Sequence, residues 1–398
     1  MMYDFLSAAE AIARHISRRA IYQKDDGVQW LSSMGEVPAS QPRRIGYDLY
    51  GGTAGIILFL AALDYVRATN EYRNLVLVTA RSIGKRLAQF AQQDNRRDPP
   101  DIGIGGFVGL GGLLYLFVRL TEWLSEPELM GEVERVLQFF TPTRISSDKS
   151  FDIIGGSAGA ILALLALDSI EVRQQKTTRQ ALSTAYHCAR HIVEHVSYVG
   201  DAKPRTSSPY WSPLAGFSHG AAGISLALLR FYAVTRQEDV LPTAIQALQF
   251  ERSLYSAAEN NWRDLRYRDH FMNSWCHGAP GIGLARLAIR NVLDDRTIEY
   301  EIQAAMSKTA ARDLTDLDNL CCGNIGRAEV LLYAWLRTAD CLLFDRAHDI
   351  ALSVAKNLHD SLRSKCSDPT LMRGLAGIGF AFLHITAPTS LPSILLLE

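Results

Sequence analysis

A Gly-x-x-Gly unit recurs along nearly the whole chain, and this repeat constrains the fold more than any other feature of the sequence. Neighbouring units are roughly 50 residues apart, a period typical of repeat architectures. Each such unit buries its apolar face by packing against its neighbours rather than by itself. The seven units are Gly52–Gly55, Gly106–Gly109, Gly156–Gly159, Gly220–Gly223, Gly278–Gly281, Gly323–Gly326 and Gly374–Gly377.

Strongly apolar segments follow the glycine units. They are rich in Leu and Ala, which favour helix over strand, and Ile56–Leu60, Ile161–Leu165 and Ile224–Leu229 are examples. Their apolar character extends around most of the helix circumference. We therefore predict helices that are buried on nearly all sides.

Amphipathic stretches alternate with these apolar segments and predict helices with one exposed face. The two sets together predict an all-α fold, an α/α toroid (double α-barrel) with seven inner and seven outer helices. The inner helices would run parallel, with their N-termini at one end. The period alone also fits an open superhelix of helix pairs. The amphipathic stretches are Tyr3–Ile21, Glu71–Gln92, Glu126–Phe140, Arg179–Val196, Asp239–Leu254, Thr297–Ala311 and Asp345–Leu362.

Composition narrows the classes of function. The 398 residues are 48% hydrophobic and carry a net charge of −1, with no polybasic run, so we expect no nucleic-acid partner. The apolar runs are too short to span a membrane, and the N-terminal residues lack the apolar centre of a signal peptide. We expect residues 1–398 to form a single cytoplasmic domain with a large core and reduced thiols.

Two of the units carry cysteines at their start. Cys276 lies in the sequence SWCHGAPG, and Cys321 and Cys322 directly precede Gly323. Helix N-termini stabilise thiolates, and three converging thiolates suit one Zn²⁺ ion with an open fourth position, as in catalytic zinc sites. Burial of the cysteines as small hydrophobic residues is the alternative. The remaining cysteines, which lack a glycine unit, are interpreted as packing or incidental residues; they are Cys188, Cys341 and Cys366.

Two polar residues near other units are candidate catalytic groups. His219, just before Gly220, could be a fourth metal ligand, a general acid or base, or a structural histidine. Asp152 precedes the first glycine of its unit by four residues and could cap the helix or orient a substrate group. Because Asp48 occupies the same place in the first unit and Asp101 lies one residue earlier in the second, a purely structural role is a strong alternative.

Three segments together resemble the lanthionine cyclase (LanC-like) family, and the resemblance extends through all seven units. They are GFSHG at 216–220, SWCHGAPG at 274–281 and CCGNIG at 321–326. The last residues, Leu391–Glu398, are similar to the ending of class II lanthipeptide synthetases, in which a cyclase half follows a dehydratase half. An excised cyclase domain, with a dehydratase domain as its partner in cis, is therefore one interpretation.

The resemblance implies a double α-barrel that holds one zinc ion through Cys276, Cys321 and Cys322. It implies addition of a peptide cysteine thiol to dehydroalanine or dehydrobutyrine, which closes a lanthionine or methyllanthionine ring. The substrate would be a dehydrated precursor peptide with its leader. His219 matches the family's acid/base histidine, and Asp152 matches an active-site aspartate.

Two positions depart from the family pattern. Many members have histidine at the place of Cys322, and we hypothesise that a three-cysteine site closes rings faster and less selectively. Some members carry an arginine at the place of Met272. Arg266 and Arg268 are near in sequence but do not match that position, and His277 is interpreted as a residue that either supports the site without binding the metal or packs.

Three other functions compete with this interpretation. A zinc-dependent protein prenyltransferase also activates a thiol in an α-barrel, but it uses mixed Asp, Cys and His ligands and needs a second subunit. An α-barrel glycosidase needs paired acids, and Asp152 is a single candidate. A LanC-like scaffold that binds zinc and a peptide or thiol without catalysis fits the same residues.

Overall fold

The computed structural model describes residues 4–23, 27–32, 43–93, 102–175, 179–198, 205–206, 214–363 and 367–398. Helices dominate these ranges. They are α1 (Phe5–Ser17), α2 (Thr53–Arg67), α3 (Arg73–Gln93), α4 (Leu110–Leu124), α5 (Leu129–Gln138), α6 (Pro142–Ser147), α7 (Ser157–Arg173), α8 (Gln180–His195), α9 (Ala221–Thr235), α10 (Leu241–Arg252), α11 (Ala279–Ile289), α12 (Thr297–Thr309), α13 (Asn324–Thr338), α14 (Cys341–Arg363) and α15 (Leu375–Thr386).

Short antiparallel hairpins lie between the helices. Each is a two-stranded sheet, and none of the strands is longer than three residues in the described ranges. The pairs are β1 (Ile21–Gln23) with β2 (Gly27–Gln29), β3 (Leu31–Ser32) with β4 (Arg43–Arg44), β5 (Val196–Ser197) with β6 (Arg205–Thr206), and β7 (Tyr255–Ser256) with β8 (Asn261–Trp262).

The helices that follow the glycine units form a closed inner ring. In the order α2, α4, α7, α9, α11, α13 and α15, each packs against the next, and α15 packs against α2. The predicted α/α toroid is therefore confirmed, and the open superhelix is excluded. These helices are buried on nearly all sides; every residue of α11 from Ala279 to Ile289 is buried, for example.

The amphipathic helices form the outer ring. Helices α3, α5, α8, α10, α12 and α14 each pack on the inner helix that precedes them, and α1 packs on α15. Every predicted amphipathic stretch overlaps one of these helices over most of its length, although α14 begins four residues earlier than predicted, at Cys341. Helix α6 was not predicted. In the part of the chain that the structure describes, no helix is long and apolar enough to cross a membrane.

The second repeat unit was predicted in the wrong register. Helix α4 begins at Leu110, so its unit is Gly109–Gly112 and not Gly106–Gly109. Glycines at 106, 109 and 112 satisfy the Gly-x-x-Gly spacing in both registers, so the spacing alone did not distinguish them. The other inner helices begin directly after the first glycine of the predicted unit.

The second glycine of every unit is required by a close backbone approach. A Cβ atom at each of these positions would lie closer than 3.0 Å to the carbonyl oxygen six residues earlier. Glycine alone lets the preceding turn fold back onto the first turn of the inner helix. The glycine–carbonyl pairs are Gly55–Leu49, Gly112–Gly106, Gly159–Ile153, Gly223–Phe217, Gly281–Trp275, Gly326–Leu320 and Gly377–Leu371.

A closed cycle of backbone hydrogen bonds, which we term the turn ring, joins the seven turns. Its members are the residues two positions before the first glycine of each unit, and each donates its N–H to the carbonyl of the next member. The cycle holds the N-termini of the inner helices at one end of the toroid, as predicted. The bonds run from Tyr50 to Phe107 (3.1 Å), Phe107 to Ile154 (3.1 Å), Ile154 to Ser218 (3.4 Å), Ser218 to Cys276 (3.2 Å), Cys276 to Cys321 (3.2 Å), Cys321 to Met372 (3.0 Å) and Met372 to Tyr50 (3.0 Å).

The C-terminal residues fill the interior of the inner ring. The Glu398 carboxylate accepts hydrogen bonds from Arg230 on α9 (2.9 Å) and Tyr333 on α13 (3.2 Å). Its backbone carbonyl accepts one from Tyr115 on α4 (3.1 Å). Since these helices stand at separate places around the ring, Glu398 lies between them. Residues Ile394–Leu397 are almost completely buried, so the toroid has a packed interior.

A buried ion-pair network joins α11 to two outer helices. The Arg286 guanidinium lies 2.6 Å from Glu251 on α10 and 2.6 Å from Glu301 on α12. The side chains of Arg286 and Glu251 are completely buried. Burial raises the pKa of Glu251 to about 7, although the charge of Arg286 opposes this shift. The network therefore depends on Arg286 as the central cation.

Replacing Arg286 with methionine should destabilise the toroid strongly. The change leaves Glu251 and Glu301 buried near each other without their shared cation, and loss of one member of a buried pair costs about 3–5 kcal/mol. The matched control is Arg290→Met, which breaks an exposed pair with Glu299 and should cost below about 1 kcal/mol. Urea unfolding followed by circular dichroism measures both, and equal losses of unfolding free energy would contradict the central role of Arg286.

Candidate metal centre and acid–base pair

Three cysteine thiols converge at the turn-ring end of the toroid. The Cys276 and Cys322 sulfurs are 3.6 Å apart, the Cys321 and Cys322 sulfurs are 3.4 Å apart, and all three lie within 4.8 Å of one another. Cys276 and Cys321 are each 5% exposed, whereas Cys322 is half-buried. The structure thus brings together the cysteines that the sequence singled out.

Backbone contacts place these thiols. Cys276 and Cys321 are consecutive members of the turn ring, so the hydrogen bond from the Cys276 N–H to the Cys321 carbonyl fixes the separation of their turns. The Asn319 side-chain oxygen accepts a hydrogen bond from the Cys322 N–H (2.8 Å) and holds that turn closed. The Ser274 hydroxyl lies 3.3 Å from the Cys276 sulfur. The cluster is therefore supported by two rigid turns.

The donor set fits a thiolate-binding metal ion. Sulfur atoms that share one tetrahedral zinc ion, with Zn–S bonds of about 2.3 Å, are separated by about 3.8 Å. The observed separations of 3.4 and 3.6 Å are close to that value and far longer than a disulfide bond. Among the described residues, these cysteines form the one group of His, Cys, Asp or Glu side chains compact enough to hold an ion.

The thiols do not share negative charge equally. The sulfur–sulfur contacts of Cys322 with Cys276 and Cys321, with a further contribution from the positive charge of Arg373, lower the pKa of Cys322 to about 3. The hydrogen bond with Cys321 lowers the pKa of Cys276, but sharing with Cys322 and burial outweigh it and raise that pKa to about 12. The contacts of Cys321 with Cys276 and Cys322, together with burial, raise the pKa of Cys321. These opposite shifts have one main cause, the close approach of the three sulfurs, so the three thiols ionise as a coupled group.

Tyr50 contacts the cluster from its own place in the turn ring, where only Met372 separates it from Cys321. Its hydroxyl donates a hydrogen bond of 3.0 Å to the Cys321 sulfur. Burial, and after it the interaction with the Cys321 sulfur, raises the pKa of Tyr50, so the hydroxyl keeps its proton and remains a donor. Tyr50 was not among the site residues predicted from the sequence. A usable signal existed, because Tyr50 precedes its glycine by two residues, as Cys276 and Cys321 do.

His219 and Asp152 form a hydrogen-bonded pair. His219 Nδ1 lies 2.7 Å from Asp152 Oδ2, and because a carboxylate only accepts, Nδ1 carries the proton. This tautomer leaves Nε2 available for proton exchange. The His219 side chain is 46% exposed, whereas Asp152 is 10% exposed. The arrangement is that of an accessible acid–base group oriented by a carboxylate.

Asp152 also has the structural role that the sequence left open. Its Oδ1 atom accepts a hydrogen bond from the Gly155 N–H (2.8 Å), just as Asp48 Oδ1 accepts from Gly51 (2.7 Å). Asp152 therefore closes its turn with one oxygen and orients His219 with the other. Asp101 lies outside the described residues, and the corrected register gives Gly105 as the equivalent position in the second unit.

His277 is buried, in contrast to the accessible His219. It is 2% exposed, and its ring is 6.1 Å from that of His219. Burial, together with the charge of Arg266, lowers the pKa of His277 to about 4, so the ring is neutral at physiological pH. His219 and His277 are both outside the compact sulfur cluster.

Arg266 approaches the cysteines despite its unmatched sequence position. Asp264 binds its guanidinium with contacts of 2.7 and 3.0 Å, and Arg266 Nη2 lies 2.9 Å from the Met272 sulfur. The nearby charge of Cys276 contributes to raising the pKa of Arg266, after the hydrogen bond to Asp264. Arg268 is 96% exposed. Arg266 thus adds positive charge to the surroundings of the cluster.

The remaining cysteines are separate from the cluster. Cys188 is completely buried within α8, and Cys341 is exposed at the start of α14. Cys366 lies outside the described residues.

Comparisons with known proteins agree with this fold. A family model described as Lanthionine synthetase C-like protein matches residues 44–396. Lacticin 481/lactococcin biosynthesis protein LcnDR2 of Lactococcus lactis subsp. lactis is 26% identical over 294 residues, which are 71% of this chain and 28% of that protein. The chain therefore spans little more than a quarter of this relative. The solved structure of nisin cyclase superposes with a TM-score of 0.71 at 16% identity, covering 98% of this chain and 97% of its own.

The metal assignment predicts that Cys276→Ala loses its zinc. Removal of one sulfur leaves two thiols and should lower the bound zinc from about one ion per chain to well below half. The matched control is Cys188→Ala, which removes a buried thiol outside the cluster. Elemental analysis after dialysis measures the zinc content, and stoichiometric zinc in Cys276→Ala would refute the assignment.

Proposed function

Because the chain belongs to the lanthionine synthetase C-like family, we propose that it is a zinc-dependent peptide cyclase. Its substrate would be a dehydrated precursor peptide carrying a leader, and its product a peptide with lanthionine or methyllanthionine rings. Residues 1–398 would act as one cytoplasmic cyclase domain. The length of the matched relative is compatible with a dehydratase domain in cis.

One observation carries the proposal: a thiol cluster suited to zinc shares one end of the toroid with a histidine–aspartate pair. Ser218 and Cys276 are hydrogen-bonded neighbours in the turn ring, so the turn that presents His219 adjoins the turn that presents Cys276. A reaction that needs an activated substrate thiol and a proton donor would therefore have the groups for both steps at this end of the toroid. The relatives described above, nisin cyclase and a lacticin 481/lactococcin biosynthesis protein, support the same chemistry.

The proposed reaction adds a thiol across a carbon–carbon double bond. The peptide cysteine loses its proton, its sulfur bonds to the β-carbon of dehydroalanine or dehydrobutyrine, and the π electrons move to the α-carbon and its carbonyl. The resulting enolate takes one proton at the α-carbon. The proton lost by sulfur balances the proton gained by carbon, so the peptide mass does not change.

The cysteine cluster would prepare the nucleophile. Cys276, Cys321 and Cys322 would hold zinc, which supplies Lewis acidity that favours the thiolate form of a peptide cysteine at neutral pH. The Tyr50 hydroxyl would restrain Cys321 by its hydrogen bond. The buried surroundings of Cys276 and Cys321 would limit competition from water.

His219 would deliver the proton to the enolate. Asp152 fixes the ring tautomer and stabilises the imidazolium that forms when Nε2 gains a proton. After donating that proton, His219 can recover one from solvent or from the next thiol, because its side chain is 46% exposed. Asp152 is held by its own turn, so the orientation of the pair does not depend on the peptide.

A cyclisation assay tests this function. The zinc-loaded protein is incubated with a synthetic peptide that contains a leader, dehydroalanine and cysteine. We expect free thiol to disappear while the peptide mass stays constant. His219→Gln should slow this loss by about 10²–10⁴-fold, because it removes the acid–base group. The variant should keep the zinc content of the native protein.

Two outcomes would contradict the proposal. An unchanged thiol content with the zinc-loaded native protein would favour the non-catalytic scaffold. An unaltered rate in His219→Gln, with native zinc content, would remove His219 from the mechanism.

The presence of Cys322 as a third cysteine leads to a separate prediction about the selectivity of ring closure. Cys322→His replaces a thiolate by a neutral imidazole and reduces the negative charge around the bound peptide sulfur. We expect roughly tenfold slower ring closure and fewer alternative ring patterns across several peptides. Tandem mass spectrometry maps the rings and thiol loss gives the rate. Unchanged rates and patterns, at equal zinc content, would refute the effect of the third thiolate.

A further inference from the structure

The loop that carries Asp152 contains a strained residue. Phe151 has a φ angle of +58°, in the left-handed region that aromatic residues rarely adopt. Such a conformation costs of order 1–3 kcal/mol and persists only where surrounding contacts hold it. Phe151 directly precedes Asp152, so its conformation sets the direction in which the chain enters the acid–base pair.

Histidines of the outer helix α8 hold Phe151 in place. The Phe151 ring is 1% exposed; its centroid lies 5.2 Å from that of His191, at an interplanar angle of 31°, and 6.1 Å from that of His195, at 19°. The two histidine rings are 4.4 Å apart, and His195 Nδ1 lies 2.9 Å from the His191 carbonyl oxygen. Two imidazoles thus form the wall against which the strained residue packs.

The His191 side chain also makes a hydrogen bond to the backbone of the loop that carries Asp152. Its Nε2 lies 2.9 Å from the Asp148 carbonyl oxygen and donates to it, since a carbonyl only accepts. The Asp148 carboxylate accepts hydrogen bonds from the N–H (2.7 Å) and hydroxyl (2.6 Å) of Ser157. It also accepts one from the Phe151 N–H (3.3 Å). His191 therefore anchors the residue that joins both ends of the 148–157 loop.

We infer that His191, acting through Asp148 and Phe151, is a positioning residue that holds Asp152 in line with His219. Asp152 Oδ1 accepts a hydrogen bond that closes the turn, and Oδ2 lies 2.7 Å from Nδ1 of the His219 ring. Because one carboxylate makes both contacts, a shift of the 148–157 loop would move Asp152 away from His219. The catalytic consequence rests on the proposed function. The structural consequence, a loop ordered by α8, stands without it.

The proposed reaction supplies a readout that a general loss of stability would not alter. Protonation of the enolate creates a stereocentre at the α-carbon, and the face that receives the proton decides its configuration. A fixed His219 delivers the proton to one face. A displaced pair leaves protonation partly to water, which can approach either face, so a second diastereomer of the ring should appear.

The test compares two amide replacements at one position. In His191→Gln the side-chain nitrogen can occupy the place of Nε2 and donate to Asp148, whereas the shorter side chain of His191→Asn falls short of it. The matched control is His187→Asn, one turn earlier on α8, where the exposed ring packs beside Tyr186. Each variant is used as the full, zinc-loaded chain.

Two measurements decide the outcome. Amide hydrogen exchange of residues 148–159 should quicken at least severalfold in His191→Asn and stay near native in His191→Gln and His187→Asn. In the cyclisation assay, His191→Asn should lower kcat roughly tenfold with little change in KM and release the second diastereomer, and His191→Gln should restore most of both.

Equal exchange in all three variants would overturn the anchoring of the loop. Quickened exchange with native kcat and a single diastereomer would overturn its role in positioning Asp152. If the native protein cyclises no peptide, the proposed function fails, while the exchange measurements still decide whether His191 orders the loop.

Discussion

The closed cycle of backbone hydrogen bonds at one end of the toroid is the interaction on which the rest of the structure depends. Each bond contributes only about 0.5–1.5 kcal/mol net, so the cycle matters less for its summed energy than for its geometry. It brings seven turns, separated by hundreds of residues in total, into one hydrogen-bonded circle. The same circle sets the separation of the side chains that neighbouring turns carry.

The glycines make this circle possible. The second glycine of each unit lies where any side chain would collide with the carbonyl six residues before it. The turn can therefore lie flat on the helix start, and its N–H and carbonyl groups face the neighbouring turns instead of the solvent. The inner helices are then covered on nearly all sides, which explains why a helix such as α11 is buried along its whole length.

The repeat and the apolar segments were enough to predict the toroid, because a buried helix and an amphipathic helix have different sequence patterns. The repeat did not determine the register of the second unit, because glycines at 106, 109 and 112 allow two registers. The cysteine cluster was predictable because reactive residues occurred at equivalent places in two units. Tyr50 occupies the same place in the first unit, but its role as a donor to Cys321 becomes evident only when the ring brings the first and sixth turns close together. The contact of His191 with the Asp148 carbonyl leaves no pattern in the sequence, since it joins a loop to an outer helix 43 residues away.

The turns divide the chemistry of the site in a consistent order around the ring. Asp152 belongs to the third turn, His219 to the fourth, Cys276 to the fifth, and Cys321 and Cys322 to the sixth. Because consecutive turns are hydrogen-bonded, each functional group lies beside the group that it would act with. The hydrogen bonds of the cycle also restrain each turn relative to the next. Ile154, in the turn of Asp152, is hydrogen-bonded to Ser218, and Ser218 is hydrogen-bonded to Cys276. An outer helix such as α8 can therefore influence the acid–base pair without reaching the reacting atoms, because the loop that it anchors is part of the same hydrogen-bonded circle.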